Sequence, residues 1–168
     1  MIDFIRIPEE RLKILKKEKK FKDRLEKFSN SKISFNEDVQ IKAEDVLQLL
    51  RVKEAVKAFG RGFDFETALN LLDEQFYLEI IEVRNFSGKS ENRMETLKGR
   101  VIGSAGKTKN IIEKYTETKI AIYGKTISII GRWDGVVKAK QTIEMLLSGS
   151  SHNTVYRFLE RGEGEKIG

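Results

Sequence analysis

Apolar residues recur along this chain with two periods that take turns. Ile5 and Ile7 alternate around Arg6 and predict a short strand over residues 2 to 7, closed by Pro8. From residue 9 to residue 28 the spacing is helical, with Leu12, Leu15, Phe21, Leu25 and Phe28 as apolar anchors among dense lysines. Residues 32 to 35 and 38 to 42 predict two strands joined by a tight Asn36-Glu37 connection. A long helix follows from about Glu44 to Phe59 and is stopped by Gly60-Arg61-Gly62, with a shorter helix at about Phe65 to Leu72.

The second half begins with Phe76 to Val83, a strand rich in Ile, Tyr and Val, and a polar loop over residues 85 to 92. A helix is predicted from about Arg93 to Ile102, a glycine-bounded loop over 103 to 106, and a second helix over about Lys107 to Tyr115. Strands near 118 to 123 and 126 to 130 turn at Gly124-Lys125, and a closing helix spans about Asp134 to Leu147. The tail predicts one short helix near Val155 to Arg161, with Gly162 to Gly168 as a disordered end.

Both halves therefore run strand, helix, helix, strand, strand, helix. At an offset of 87, six of the sixteen positions from 20 to 35 are identical to those from 107 to 122: Lys20 and Lys107, Lys22 and Lys109, Glu26 and Glu113, Lys27 and Lys114, Lys32 and Lys119, Ile33 and Ile120. Leu25 with Ile112 and Phe28 with Tyr115 keep apolar character, and the same offset pairs Val56 with Ile143, Phe59 with Leu146 and Gly62 with Gly149. Matching lysines carry little information in a lysine-rich chain, whereas matching anchors and a matching helix stop carry more. Each unit has the elements for helices packed on one face of a three-stranded sheet, an α+β arrangement in two layers. The expected boundary divides residues 1–74 from 75–168.

Charge sharpens this outline. Lys and Arg number 32 against 26 Asp and Glu, a formal net charge of +6, which favours an anionic partner. The chain has no cysteine and a single histidine, His152, so disulfides, thiolate chemistry, cysteine-rich zinc sites and multi-histidine metal sites are not expected. No run approaches 18 apolar residues, and Met1-Ile2-Asp3-Phe4 lacks the layout of a signal peptide, so a cytoplasmic protein with no membrane partner is expected. No carboxylate pair has a setting for acid–base work. Glu9-Glu10 and Glu163 with Glu165 read as exposed.

The most specific local signal is Val101-Ile102-Gly103-Ser104-Ala105-Gly106-Lys107 between two helices. Two glycines three apart let the backbone turn sharply and meet a ligand with no side chain between. The second helix starts just after Gly106 and aims free N–H groups at an anion. Arg100, Lys107 and Lys109 flank the loop, and no acid lies between Lys98 and Lys109. A nucleotide-binding P-loop ends in Gly-Lys-Ser/Thr, as Gly106-Lys107-Thr108 does, but its opening glycine would fall on Val101. The first glycine of a dinucleotide fingerprint falls on Val101 too. From the residues alone, Gly103 and Gly106 either cap two helices or form an anion-binding turn.

The segments Gly99-Arg100-Val101-Ile102-Gly103 with Gly106-Lys107-Thr108, Tyr123-Gly124-Lys125-Thr126, and Thr154-Val155-Tyr156-Arg157-Phe158-Leu159-Glu160-Arg161 carry a resemblance. So does the Gly60-Arg61-Gly62-Phe63 join followed by Glu66 to Leu72. Over nearly its whole length the chain resembles the archaeal pre-ribosomal-RNA processing KH-domain proteins related to eukaryotic Partner of Nob One, the Dim/Krr-type family. The resemblance implies two type I KH domains (βααββα) that bind single-stranded RNA near the 3′ end of small-subunit ribosomal RNA. It also implies association with the maturing small ribosomal subunit and with a processing endonuclease or translation initiation factor, no cofactor, and no catalysis by this chain. Two other classes remain for comparison: a KH-fold scaffold making mainly protein contacts, and a metal- or nucleotide-dependent RNA-processing enzyme.

Within that frame, backbone groups at Gly103, Ser104, Ala105 and Gly106 face phosphates, and Arg100, Lys107 and Lys109 supply charge. Val101 and Ile102 before the loop, with Ile111 and Ile112 after it, are candidates for the floor beneath the bases. Ile120 and Ile122 on the strand Lys119 to Tyr123 are candidates for the opposite wall. The competing reading makes all of these ordinary core. Trp133 is expected to pack into the core at a helix start, with stacking on a base or partner as the alternative. In the first half, the offset sets Lys16-Lys17-Glu18-Lys19 against Gly103 to Gly106, so that domain is expected to be degenerate. Its lysines either touch phosphates non-specifically or solvate a helix and serve a protein contact.

Overall fold

The computed structural model describes the backbone of residues 1–165 and the side chains of residues 1–161. The chain forms two compact units, Met1–Leu78 and Glu79 onward. The first contains β1 (Ile2–Ile5), α1 (Glu9–Lys17), α2 (Lys19–Ser29), β2 (Lys32–Phe35), β3 (Val39–Lys42) and α3 (Val46–Gly60). A short α4 (Phe65–Leu69) then runs into a single 3-10 turn at Asn70–Leu72. The strands form one sheet in the order β1-β3-β2, antiparallel at both pairings, with Ile5 opposite Val39 and Ile33 opposite Ile41. Leu15, Phe21, Leu25, Ile41, Val52 and Phe59 are buried beneath the helices. The Phe59 and Phe65 rings stack at 4.5 Å, with Phe21 tilted against both.

The second unit repeats this plan. β4 (Phe76–Glu82) leads to a one-turn α5 (Arg84–Ser87) inside the predicted loop. Then come α6 (Glu91–Ile102), α7 (Lys107–Thr116), β5 (Lys119–Tyr123), β6 (Thr126–Arg132) and α8 (Trp133–Leu147). α6 starts two residues before the predicted point because the Ser90 hydroxyl accepts from the Arg93 N–H at 3.1 Å and caps the helix. The sheet order is β4-β6-β5, and one core joins Met94, Leu97, Val101, Ile112, Ile127 and Ile143. The tail helix α9 (His152–Glu165) is longer at both ends than predicted and packs against α7 and α8, with Val155 and Leu159 buried. Residues 166–168 of the predicted disordered end lie outside the described residues.

Two predictions in the first half need correction. Residues 9 to 28 are two helices, because the backbone leaves the helix at Glu18 (φ −105°, ψ 84°). Phe28 is 64% exposed instead of anchoring the core. Its neighbour Ser29 turns inward, donating to the Leu25 carbonyl and pairing with the Ser31 hydroxyl at 2.6 Å.

The internal repeat reaches individual hydrogen bonds. β2 and β5, β3 and β6, and α3 and α8 each begin 87 residues apart. The Ser29–Ser31 pair returns as Thr116 Oγ1, 2.7 Å from Thr118 Oγ1 and donating to the Ile112 carbonyl at 2.7 Å. The Glu26 carboxylate accepts from the Ile33 N–H at 2.9 Å, and Glu113 accepts from the Ile120 N–H at 2.9 Å. The residue closing the second helix is left-handed in both units: Asn30 at φ 51° and Glu117 at φ 54°. Asparagine tolerates that conformation better than glutamate. Glu117→Asn is therefore expected to stabilise the protein by a few tenths to about 1 kcal/mol in urea unfolding, and a loss of stability contradicts this account of the cap.

A second pair of equivalents is set differently. Arg11 donates to the Phe59 carbonyl at 2.9 Å and the Phe63 carbonyl at 2.7 Å. Arg100 donates to the carbonyls of Leu146 and Ser150, which are Phe59 and Phe63 shifted by 87. Lys20 comes nine positions after Arg11, but Lys107 comes seven after Arg100. The first unit uses its two extra residues to continue α1 to Lys17, leaving Glu18 alone between α1 and α2. It has a helix where the second unit has a glycine loop.

Candidate nucleic-acid interface

α6 ends at Ile102, and Gly103 takes φ 75°, ψ 174°, a region that in practice only glycine occupies. A Cβ there would lie 2.3 Å from Thr108 Oγ1 and 2.7 Å from the Thr108 backbone nitrogen. Ser104, Ala105 and Gly106 form one 3-10 turn, with Ala105 (φ 54°, ψ 29°) and Gly106 (φ 77°, ψ 11°) both left-handed. Holding alanine in that conformation costs roughly 1–2 kcal/mol, supplied by the packing on either side of the turn. Ser104 and Ala105 are exposed, and α7 opens directly behind Gly106 with no side-chain cap on its first turn. The result is a bare stretch of main chain at a helix N-terminus.

The expected site residues divide by burial. Val101 is fully buried and Ile120 nearly so, both in the core of this unit, as is Ile112, so none of the three has surface for a ligand. Their inward direction follows from the α6 and β5 faces that meet the sheet and helices. Ile102, Ile111 and Ile122 remain partly exposed, on α6, α7 and β5, and α7 packs against both of the others. They are the apolar residues of these three elements left for a surface beside the loop. Lys98 donates to the Gly124 carbonyl at 2.9 Å and fixes the β5–β6 turn beside α6.

The basic residues also divide. Lys107 is exposed, while Lys109 is partly buried and paired with Glu113 at 3.4 Å. Arg100 is engaged differently: its guanidinium donates to the Leu146 carbonyl near the end of α8 and to the Ser150 carbonyl in the connection to α9. Trp133 is a further correction: it opens α8 on the surface at 60% exposure instead of packing into the core. In the first unit Lys13, Lys16, Lys17, Lys19 and Lys20 are all exposed around the α1–α2 junction. That junction has side chains where the second unit has open backbone.

The resemblance includes Thr108 and Tyr156 and implies a tail contact with RNA or the neighbouring domain, but the sequence does not show that these two side chains meet. Thr108 is 2% exposed, and its hydroxyl lies 3.0 Å from the Tyr156 hydroxyl on α9, while His152 Nε2 lies 3.0 Å from the Arg100 carbonyl oxygen. The threonine directly after Gly-Lys and the Thr154 to Arg161 segment were the hints. Among the described residues, no group of three or more His, Asp and Glu side chains could hold a metal ion. No helix among them is long and apolar enough to cross a membrane.

Comparison with known proteins agrees with this geometry. Residues 77–163 match the eukaryotic-type KH domain, KH-domain type I. A KH domain-containing protein of Methanocaldococcus jannaschii is 37% identical over 99% of this chain and 75% of its own length. The pre-rRNA-processing protein PNO1 of Candida albicans is 33% identical over 67% of this chain, which spans 41% of that protein. Dim2p of Pyrococcus horikoshii superposes with a TM-score of 0.87 at 36% identity, covering 96% of this chain and 99% of that one. A chain in the crystal structure of the Pyrococcus a/eIF2α–Dim2p–rRNA complex superposes at 0.90 with 35% identity, covering 98% and 95% of the two chains. With a type I KH match over half its length and a near full-length archaeal relative, this chain belongs to the family of tandem KH-domain proteins that includes archaeal Dim2p and eukaryotic PNO1.

Proposed function

We propose that this protein binds single-stranded RNA through its second unit, near the 3′ end of small-subunit ribosomal RNA, and acts as a cofactor in assembly and processing of the small ribosomal subunit. The observation that carries this reading is the Gly103–Gly106 turn at the start of α7, exposed at Ser104 and Ala105, beside Ile102, Ile111 and Ile122, in a stretch of sequence from Arg100 to Lys109 that contains no acid. Phosphates meet the loop backbone and Lys107, with Lys109 sharing its charge with Glu113. Bases lie on these three isoleucines, and the backbone of β5 reads their edges. The relatives' names support the biological setting: PNO1 is a pre-rRNA-processing protein, and Dim2p has been crystallised with rRNA and a/eIF2α. A translation initiation factor of that kind, or a processing endonuclease, is the protein partner this reading implies. The work of the chain is binding, with the first unit lacking the open loop and making no base-specific contact.

Fluorescence anisotropy with labelled single-stranded RNA from the archaeal small-subunit rRNA 3′ end tests this reading. Saturable binding is expected, with affinity falling about tenfold or more between about 50 and 200 mM salt. Lys107→Gln should flatten the plot of log affinity against log salt by about 0.7, the share of one phosphate on a single strand. Absence of saturable binding would move the family role of this chain to protein contacts, and a salt-independent affinity would remove phosphates from the interface.

A further inference from the structure

A recess opens beside the same loop, against α9. It has a volume of about 520 Å³ and is lined by Thr96, Gly99, Arg100 and Gly103 from α6 and its end, by Ser104, Lys107 and Thr108, and by His152 and Tyr156 from α9. Thr96, Gly99, Arg100 and Gly103 follow i, i+3, i+4, i+7 spacing and so share one stripe of α6. Ile102 and Lys98, the latter bonded to the β5–β6 turn, lie on a different stripe. Gly103 and Ser104 of the GSAG turn form part of the wall of this recess.

The chemistry of the recess is that of a nucleotide site. It is lined by two rings and a lysine and by no carboxylate. Gly99 contributes open space, since a Cβ there would meet no atom within 4 Å. Tyr156 is partly exposed and fixed in place, because its hydroxyl is held by Thr108 and its neighbours Val155 and Leu159 are sunk in the core. A ring held at one end and open to a recess is a stacking platform of low entropic cost. The His152 ring, one helical turn before it, lies 6.2 Å from the Tyr156 ring and is tied to the Arg100 carbonyl. Lys107 and Ser104 line the same recess, where an RNA backbone crossing the loop would pass.

We propose that the recess between the GSAG loop and α9 is a subsite for one further nucleotide of the bound strand, its base stacked on Tyr156 and its phosphate held by Lys107 and Ser104. This rests on the RNA-binding reading above. It assigns α9 a direct part in RNA recognition and lengthens the footprint by one nucleotide beyond those at Ile102, Ile111 and Ile122.

The test uses the full chain and fluorescein-labelled RNAs from the small-subunit rRNA 3′ end, lengthened one nucleotide at a time at each end from a tetramer. In the natural sequence, one extension at one end is expected to raise affinity about fivefold or more, the range of base stacking on an aromatic side chain. Tyr156→Ala should abolish that gain and leave tetramer affinity within about twofold. Tyr156→Phe, which keeps the ring and loses the Thr108 contact, should retain the gain. A 4-thiouridine at the added position should crosslink to the α9 peptide that contains Tyr156. If Tyr156→Ala and Tyr156→Phe weaken the tetramer and the longer RNAs alike, Tyr156 only positions the loop and the subsite is refuted. Equal affinities for all lengths in the natural sequence refute it as well. Failure of every RNA to bind defeats the RNA-binding reading itself, an outcome distinct from either.

Discussion

Ser104→Asp combined with Ala105→Asp is expected to lower affinity for single-stranded RNA by at least about a hundredfold without unfolding the protein. Both side chains are exposed at the tip of the turn, so the new carboxylates stand where a phosphate must approach the backbone. Two unit charges about 4 Å apart repel by about 1 kcal/mol in bulk water and about 4 kcal/mol near a protein surface. Two added charges therefore exceed the roughly 2.7 kcal/mol that a hundredfold change represents. The fold has little reason to object. Aspartate is among the residues that tolerate the left-handed conformation now imposed on Ala105 (φ 54°), and neither position contributes to the core. Circular dichroism should be unchanged, with the melting temperature within a few degrees of the natural protein. Undiminished RNA affinity in anisotropy would take the turn out of the interface and leave Lys107, Ile102, Ile111 and Ile122 without a role in strand binding.

Gly135→Ala should strongly destabilise the second unit, although glycine is helical there and needs no positive φ. A Cβ at Gly135 would sit 2.2 Å from the Thr116 carbonyl oxygen and 3.2 Å from Thr118 Cγ2. The first of these is backbone, so no side-chain rotation relieves the contact. Moving α8 away would drag Val136, Ala139 and Ile143 out of a core in which all three are buried. Alanine gains up to about 1 kcal/mol of helix propensity over glycine, but overpacking of this kind costs typically 1–3 kcal/mol and more where backbone cannot yield. A net loss of roughly 3 kcal/mol is expected in urea unfolding, enough to matter in a domain whose total stability is of order 5–15 kcal/mol. Gly99 is the internal control. It is exposed in α6 with nothing within 4 Å of a Cβ, so Gly99→Ala should stabilise by up to about 1 kcal/mol. Equal effects of the two substitutions would show that α8 does not press against the end of α7.

Arg100 illustrates why the site was only partly legible beforehand. Its place next to a glycine loop suggested a phosphate ligand, yet its guanidinium reaches carbonyls 46 and 50 residues away. Val101 and Ile102 are adjacent and equally apolar, and one is sealed in the core while the other borders the loop. Ile120 and Ile122 share one side of β5, since side chains two apart on a strand point the same way, yet one is core and the other lies at the rim. Trp133 lies outside the core although its size and its place before an amphipathic helix suggested otherwise. In each case the deciding neighbour is remote in sequence, and no local window contains it.

Order and kind of most elements, the 87-residue repeat and the turn at Gly103 to Gly106 were determined by the sequence itself, the break at Glu18 and the helical turn at Arg84–Ser87 excepted. Periodic apolar positions, helix caps and glycines with positive φ act over a few residues, and the chain spells them out directly. Tertiary structure alone decided the rest. It extended α1 to Lys17 and so denied the first unit an open loop, it divided the isoleucines between buried and partly exposed positions, and it brought Tyr156 against Thr108 across 48 residues to wall a recess. The physical reason is that burial and hydrogen-bond partnership are properties of surfaces that meet only after the chain has folded, when α9, α7 and the end of α8 compete for the same space.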